Sequence, residues 1–168
     1  MKAHSRNVLP GLLFGLLTVF SAAAQHHGPE SGRSNGPVDL GKIDFPTSGP
    51  AEAQKHFIEG VLLLHSFEYG RARRAFQEAS RLAPDFALAY WGEAMTHDHR
   101  IWGEQDQKAA LDALAKLAAT PAERRAKAPT TREKLYLDAV EQLFDDGDEK
   151  EIAQNYSNAL AELTRPFP

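Results

Sequence analysis

The chain has 168 residues and no cysteine, with 19 Lys and Arg against 23 Asp and Glu and a formal charge of −4. The acidic balance argues against nonspecific binding to nucleic acid or to an anionic membrane surface. Without cysteine there is no disulfide framework and no thiol site, so the fold must be held by its apolar core alone.

Residues 1–24 read as a signal peptide. Lys2 and Arg6 give a positive start, and the apolar run from Val8 to Phe20 is interrupted by Pro10, Gly11 and Gly15. That run is shorter than the ~18 residues of a membrane-spanning helix. Ser21-Ala22-Ala23-Ala24 supplies the small residues a signal peptidase needs, which places cleavage after Ala24. No Cys follows, so this is not a lipoprotein signal. The expectation is a periplasmic or secreted protein with no membrane span after cleavage. About 144 residues then remain, and loss of Lys2 and Arg6 moves the formal charge to −6. That length suits one domain with its own core.

Residues 25–46 read as a flexible linker. They are rich in Gly, Ser, Pro and His and nearly free of large apolar residues until Val38 and Leu40. Such a stretch buries too little surface to offset its ordering entropy. Ile43 and Phe45 are expected to form a short extended lead-in to the first helix.

From Pro50 onward the periodicity is helical. Phe57, Val61, Leu64 and Phe67 recur at three and four residues, the spacing of one helix face. Pro50 suits the first turn, with Gly49 or Ser48 as the cap. Gly70, or the corner Phe67-Glu68-Tyr69, should separate this helix from a second bearing Ala72, Phe76, Ala79 and Leu82, which Pro84 stops. A further helix starts at Ala87. Its partner should run from about Glu104 to Ala118, with Ala110, Leu111, Leu114 and Leu117 on one face. Thr120-Pro121-Ala122-Glu123 is a capped start for a short helix closed by Pro129. Thr130 with Glu133 forms a capping box for a helix carrying Leu135, Tyr136, Ala139, Val140 and Leu143. After the turn Asp145-Asp146-Gly147-Asp148, a last helix carries Ile152, Tyr156, Ala159, Leu160 and Leu163.

Three stretches echo one another: Phe57-Ile58-Glu59-Gly60-Val61, Trp91-Gly92-Glu93-Ala94-Met95 and Tyr136-Leu137-Asp138-Ala139-Val140. The first two lie 34 residues apart and the third 45 further on. A period near 34 is the mark of a helical repeat array. With Gly60, Tyr69, Ala72, Phe76, Ala79 and Pro84, and again Tyr90 and Ala94, the chain resembles a tetratricopeptide repeat protein, and more specifically an exported bacterial group of them. Gly60, Ala72 and Ala79 let two helices approach, and Phe76 fills the gap between them. The resemblance is good over about Ala53 to His99 and weaker beyond.

The fold class expected is therefore all-α: a short right-handed solenoid of about three antiparallel helix pairs, over 47–168, with repeats at about 53–86, 87–120 and 131–168. The resemblance implies that the first helix of each pair lines a concave groove. The array ends without a polar capping helix, which points to a fragment of a longer array or to self-association at the open C-terminal end.

Histidine is the residue type to weigh for chemistry. His65 and His99 are 34 residues apart and should take equivalent places at the ends of two stacked helices. Asp98 lies between His97 and His99, and Glu93 one turn before. One reading is a metal site built from His65, His97 and His99. The other has these side chains satisfying carbonyls at helix ends. Glu59, Glu93 and Asp138 stand where the repeat pattern wants Leu. Each needs a partner if buried, and a ladder of structural hydrogen bonds explains a once-per-repeat acid better than catalysis does. Trp91 shares its place with Phe57 and Tyr136, either for helix packing or to grip an extended peptide. Arg71, Arg73, Arg74 and Arg81 read as a solvated outer face. Asn155-Tyr156-Ser157 matches a glycosylation sequon by chance.

The functional expectation is a non-catalytic scaffold that binds a protein or peptide, with no cofactor. The candidate contacts are Glu59, His65, Trp91, Glu93, Met95 and His99. The competing expectation is a metal-binding protein or accessory subunit of a periplasmic metalloenzyme.

Overall fold

The computed structural model describes residues 40–165. The expected signal peptide, the linker through residue 39 and residues 166–168 lie outside the described residues. Within them the fold is all-α. The helices are α1 (Ala51–His65), α2 (Tyr69–Leu82), α3 (Ala87–Met95), α4 (Gln107–Ala115), α5 (Pro121–Lys127), α6 (Thr131–Leu143) and α7 (Glu149–Leu163). Between α3 and α4 sits a small antiparallel hairpin, β1 (Asp98–His99) and β2 (Glu104–Gln105), joined by a 3-10 turn at Arg100–Trp102.

Consecutive helices pack as pairs: α1 on α2, α2 on α3, α3 on α4 and α6 on α7. The helix α3 is also set against α1 and α6. Its sequence Ala-Leu-Ala-Tyr-Trp-Gly-Glu-Ala is apolar almost all round, and every residue from Ala87 to Ala94 is buried. A helix with no polar face has to be a central one.

Phe76 of α2 sets the spacing of the first three helices. A methyl group at Gly60 of α1 would stand 2.7 Å from the Phe76 ring, and one at Gly92 of α3 only 2.3 Å from it. The ring, fully buried, is therefore seated between two helix backbones that no side chain holds off. The expected role of Gly60 and Phe76 holds, and Gly92 extends it to the next helix.

The helix ends follow their caps. Thr120 and Thr130 each accept from the third helical N–H while Glu123 and Glu133 reach back, completing two capping boxes. Asp148 accepts from the N–H of Lys150 and Glu151 at the start of α7. At α1 the cap is Pro50 itself, without a side-chain hydrogen bond. Neither Gly49 nor Ser48 takes that place, because the backbone at Pro50 is still extended. The break between α1 and α2 falls at Phe67, whose φ of +60° puts a non-glycine residue in the left-handed region. Gly70 is inside α2.

The bounds of α4 and the burial of two helix faces differ from expectation. The partner of α3 is shorter than Glu104–Ala118, because the chain first turns through the hairpin. Asp106 then caps α4 by accepting from the Ala109 N–H. On α4, Ala110 and Leu114 are buried and Leu117 follows them, but Leu111 faces solvent. On α7 the apolar residues Ile152, Tyr156, Ala159, Leu160 and Leu163 are only half-buried, and no residue of that helix is fully buried.

The short helix α5 is held by an ion. Arg124, almost fully buried, makes a two-pronged pair with Glu141 of α6 at 2.6 and 2.9 Å. Its remaining nitrogen donates to the carbonyls of Ala118 and Ala119. Such a fork matches a carboxylate and two chain carbonyls at once.

Candidate functional site

Each of α1, α3 and α6 presents one ring of the sequence echo, and the three meet. Trp91 and Tyr136 are in edge contact at 5.1 Å, and Phe57 lies 6.3 Å from Trp91. Across this row lies Phe45, 5.2 Å from Phe57, 6.4 Å from Trp91 and 5.3 Å from Tyr136. Aromatic pairs at these separations each contribute about 0.5–1.5 kcal/mol beyond the area they bury. The end of the expected linker is thus packed onto the helices. Leu40 and Phe45 are partly buried against the core, while Ile43, expected beside Phe45, faces solvent.

The main chain around Phe45 is gripped as firmly as its ring. Gln54 of α1 donates from Nε2 to the Phe45 carbonyl at 2.7 Å and accepts from the Thr47 hydroxyl. Arg132 of α6 lies over the Phe45 ring at 4.7 Å and donates to the Pro46 carbonyl at 3.3 Å. The Ser48 N–H donates to Oε1 of Glu133 at 2.7 Å. Glu133 is buried, and its other oxygen accepts from the N–H and hydroxyl of Thr130. Pro46 suits this extended path, since it fixes φ and brings no N–H of its own to satisfy.

The remaining candidates do not gather at this row. Glu59 is exposed, with the His56 ring 3.9 Å from its carboxylate. Glu93 is buried and accepts from Gln77 at 2.7 Å and from Lys116 at 2.6 Å. Asp138 pairs with Arg125 of α5 at 3.0 Å. The three acids therefore have separate partners, two of them on Glu93, and form no continuous ladder. Met95 is partly buried against the core.

The histidines are not equivalent. His65 is exposed in the last turn of α1, whereas α3 ends at Met95 and leaves His99 in β1. Thr96 causes the early exit: its hydroxyl turns back to the Glu93 carbonyl, and Arg73 of α2 donates to both Thr96 oxygens. Arg73 thus belongs to an inner contact, unlike the exposed Arg74 and Arg81. His97 is buried, and its Nδ1 faces the Arg73 guanidinium at 3.5 Å, so that nitrogen is the acceptor. Burial first, and then the Arg73 charge, hold the His97 imidazole below its usual pKa. The Nε2 of His99 lies 2.9 Å from the Thr96 carbonyl, which only accepts, so the proton sits on Nε2. Among the described residues no group of three or more His, Asp or Glu is placed to hold a metal ion.

A cleft of about 300 Å³ is lined by Arg73, His97, His99, Glu104, Gln105 and Asp106. Beside it, His99 stacks on Tyr69 at 3.9 Å, and Trp102 meets Phe67 and Tyr69 edge-on at 5.3 and 5.8 Å. Among the described residues, no helix is long and apolar enough to cross a membrane.

The chain matches no protein-family model, no curated protein and no solved structure. The clamping roles of Gln54, Arg132 and Glu133, and the seat of the Phe45 ring between them, were not legible in the sequence. The one available signal was Phe45-Pro46, an aromatic and a helix-breaking residue at the end of an otherwise polar stretch.

Proposed function

We propose that this chain is an exported tetratricopeptide-type scaffold, non-catalytic, whose groove binds an extended segment of a protein or peptide partner. In this reading α1, α3 and α6 are the first helices of three stacked pairs and line the concave side. The half-buried apolar face of α7 is where further helices or a second copy would stack. The observation that carries the reading is Phe45 lying across Phe57, Trp91 and Tyr136: a ring from an extended stretch of chain, held by one residue from each of three helices. Main-chain hydrogen bonds with one side-chain anchor are the usual economy of peptide recognition. The signal-peptide pattern supports export.

The test is photo-crosslinking in the native envelope. A crosslinking side chain at Ile58, one turn beyond Gln54 on α1 and only partly buried, should capture a discrete partner whose linked segment is a short peptide stretch. The same side chain at Asn158 on α7 should not capture it. Equal capture at both positions, or none at Ile58, removes the partner-binding scaffold.

A further inference from the structure

The groove reading leaves open what the groove takes, and its present occupant answers in chemical terms. We infer that the row formed by Phe57, Trp91 and Tyr136 is a site for an extended peptide with an aromatic residue directly followed by proline. The chain's own segment Leu40–Ser48 is its resident occupant, displaced when such a ligand arrives. This rests on the groove reading above.

The contacts to the occupant define what a ligand must offer. The row takes one ring. Gln54 and Arg132 take two successive carbonyls, those of Phe45 and Pro46. Glu133 takes one N–H, that of Ser48. Apart from Phe45, the Thr47 hydroxyl and the partly buried Leu40, the segment's side chains are not used: Lys42, Ile43 and Asp44 face solvent. The requirements are therefore an aromatic ring, an extended main chain and no N–H at the position after the ring, which proline meets without leaving a donor unpaired. A cation over the ring, here Arg132, adds preference for an aromatic over an aliphatic anchor.

The row does not depend on its occupant to exist. Trp91 and Tyr136 touch each other directly, and Phe57 is braced by Phe76 at 5.8 Å and by Phe86 at 5.2 Å. Loss of Phe45 leaves those contacts in place. The occupant is tethered only a few residues ahead of α1, so its effective concentration is on the order of millimolar or above. A ligand of the same chemistry supplied from outside meets that competitor, which weakens its apparent affinity by on the order of 10- to 100-fold.

The experiment uses the full chain and a labelled probe peptide with the sequence of residues 40–50. Its binding is measured by fluorescence anisotropy to the wild type and to Phe45→Ala, with helix content checked by circular dichroism. Phe45→Ala should bind the probe 10- to 100-fold more tightly than the wild type. A probe with alanine in place of its phenylalanine should not bind, and adding Arg132→Ala to Phe45→Ala should weaken the probe several-fold. A folded Phe45→Ala chain that ignores the probe, or binds both probes alike, overturns the inference. If Phe45→Ala does not fold, hydrogen exchange on the wild type decides. Saturating, isotopically labelled probe should then speed exchange across the protein's own residues 40–47 and leave α1, α3 and α6 unchanged; no such change overturns the inference. Its failure is separable from that of the scaffold reading. Probe binding without a crosslinked partner leaves the site and removes the scaffold, and a crosslinked partner without probe binding does the reverse.

Discussion

Gly92→Ala offers the sharpest check on how the helices are spaced. Alanine is the better helix former by about 1 kcal/mol, so on propensity alone the change should stabilise α3. The added methyl, however, would stand 2.3 Å from Phe76 Cε1 and 2.4 and 2.6 Å from two more carbons of the same ring. Normal carbon contacts are about 3.5–4.0 Å, so ring and helix must separate by more than an ångström. Phe76 cannot swing clear, because its other face is against Gly60, where a methyl would have only 2.7 Å. Overpacking of this kind costs about 2–3 kcal/mol, leaving a net loss of about 1–2 kcal/mol. For a domain of this size that lowers Tm by roughly 4–8 °C. Gly70→Ala is the matched control, because its methyl would meet nothing within 4 Å, and it should hold or raise Tm. Thermal unfolding followed by circular dichroism reads both. A Gly92→Ala chain as stable as the wild type would refute the claim that Phe76 is locked between two glycines.

Arg124→Met should cost about 3 kcal/mol or more, since it strands the Glu141 carboxylate and two carbonyls; hydrogen exchange should quicken over residues 118–128 before the rest of the chain. Acidification should weaken the fold through His97: its folded pKa lies below the unfolded value, so the unfolded chain takes the proton more readily, and stability is lost as pH falls through about 6.5. Denaturant titrations at pH 7.5 and 5.0 should show His97→Gln losing less than the wild type; equal losses would assign the acid sensitivity to other groups.

The parts legible in the sequence were those in which local chemistry and helical period agree. Thr130 with Glu133, and Gly60 with Phe76, announce themselves by spacing, because a cap and a close helix approach are set within a few residues or one repeat. The hairpin at Asp98–Gln105 was not legible. Its polar residues fit a helix end equally well, and what diverts the chain is Arg73, more than twenty positions away, bonding to Thr96. Glu93 hides its burial for the same reason, since Gln77 and Lys116 come from other parts of the chain. The aromatic row was half visible. Its rings recur in the three echoing stretches, but the segment across them is extended and has no period, so composition alone made it a linker.

Glu133 gives the aromatic row a condition of its own. One carboxylate both closes the start of α6 and holds the Ser48 N–H, and it is almost fully buried. If the segment simply left, a buried negative charge would lose a donor. On the proposed exchange the vacated state is therefore the costly one, which favours a handover in which the arriving chain supplies its own N–H three positions after its ring as the resident withdraws. Exchange of this kind is paced by the newcomer rather than by spontaneous opening, so the rate of release should rise with ligand concentration.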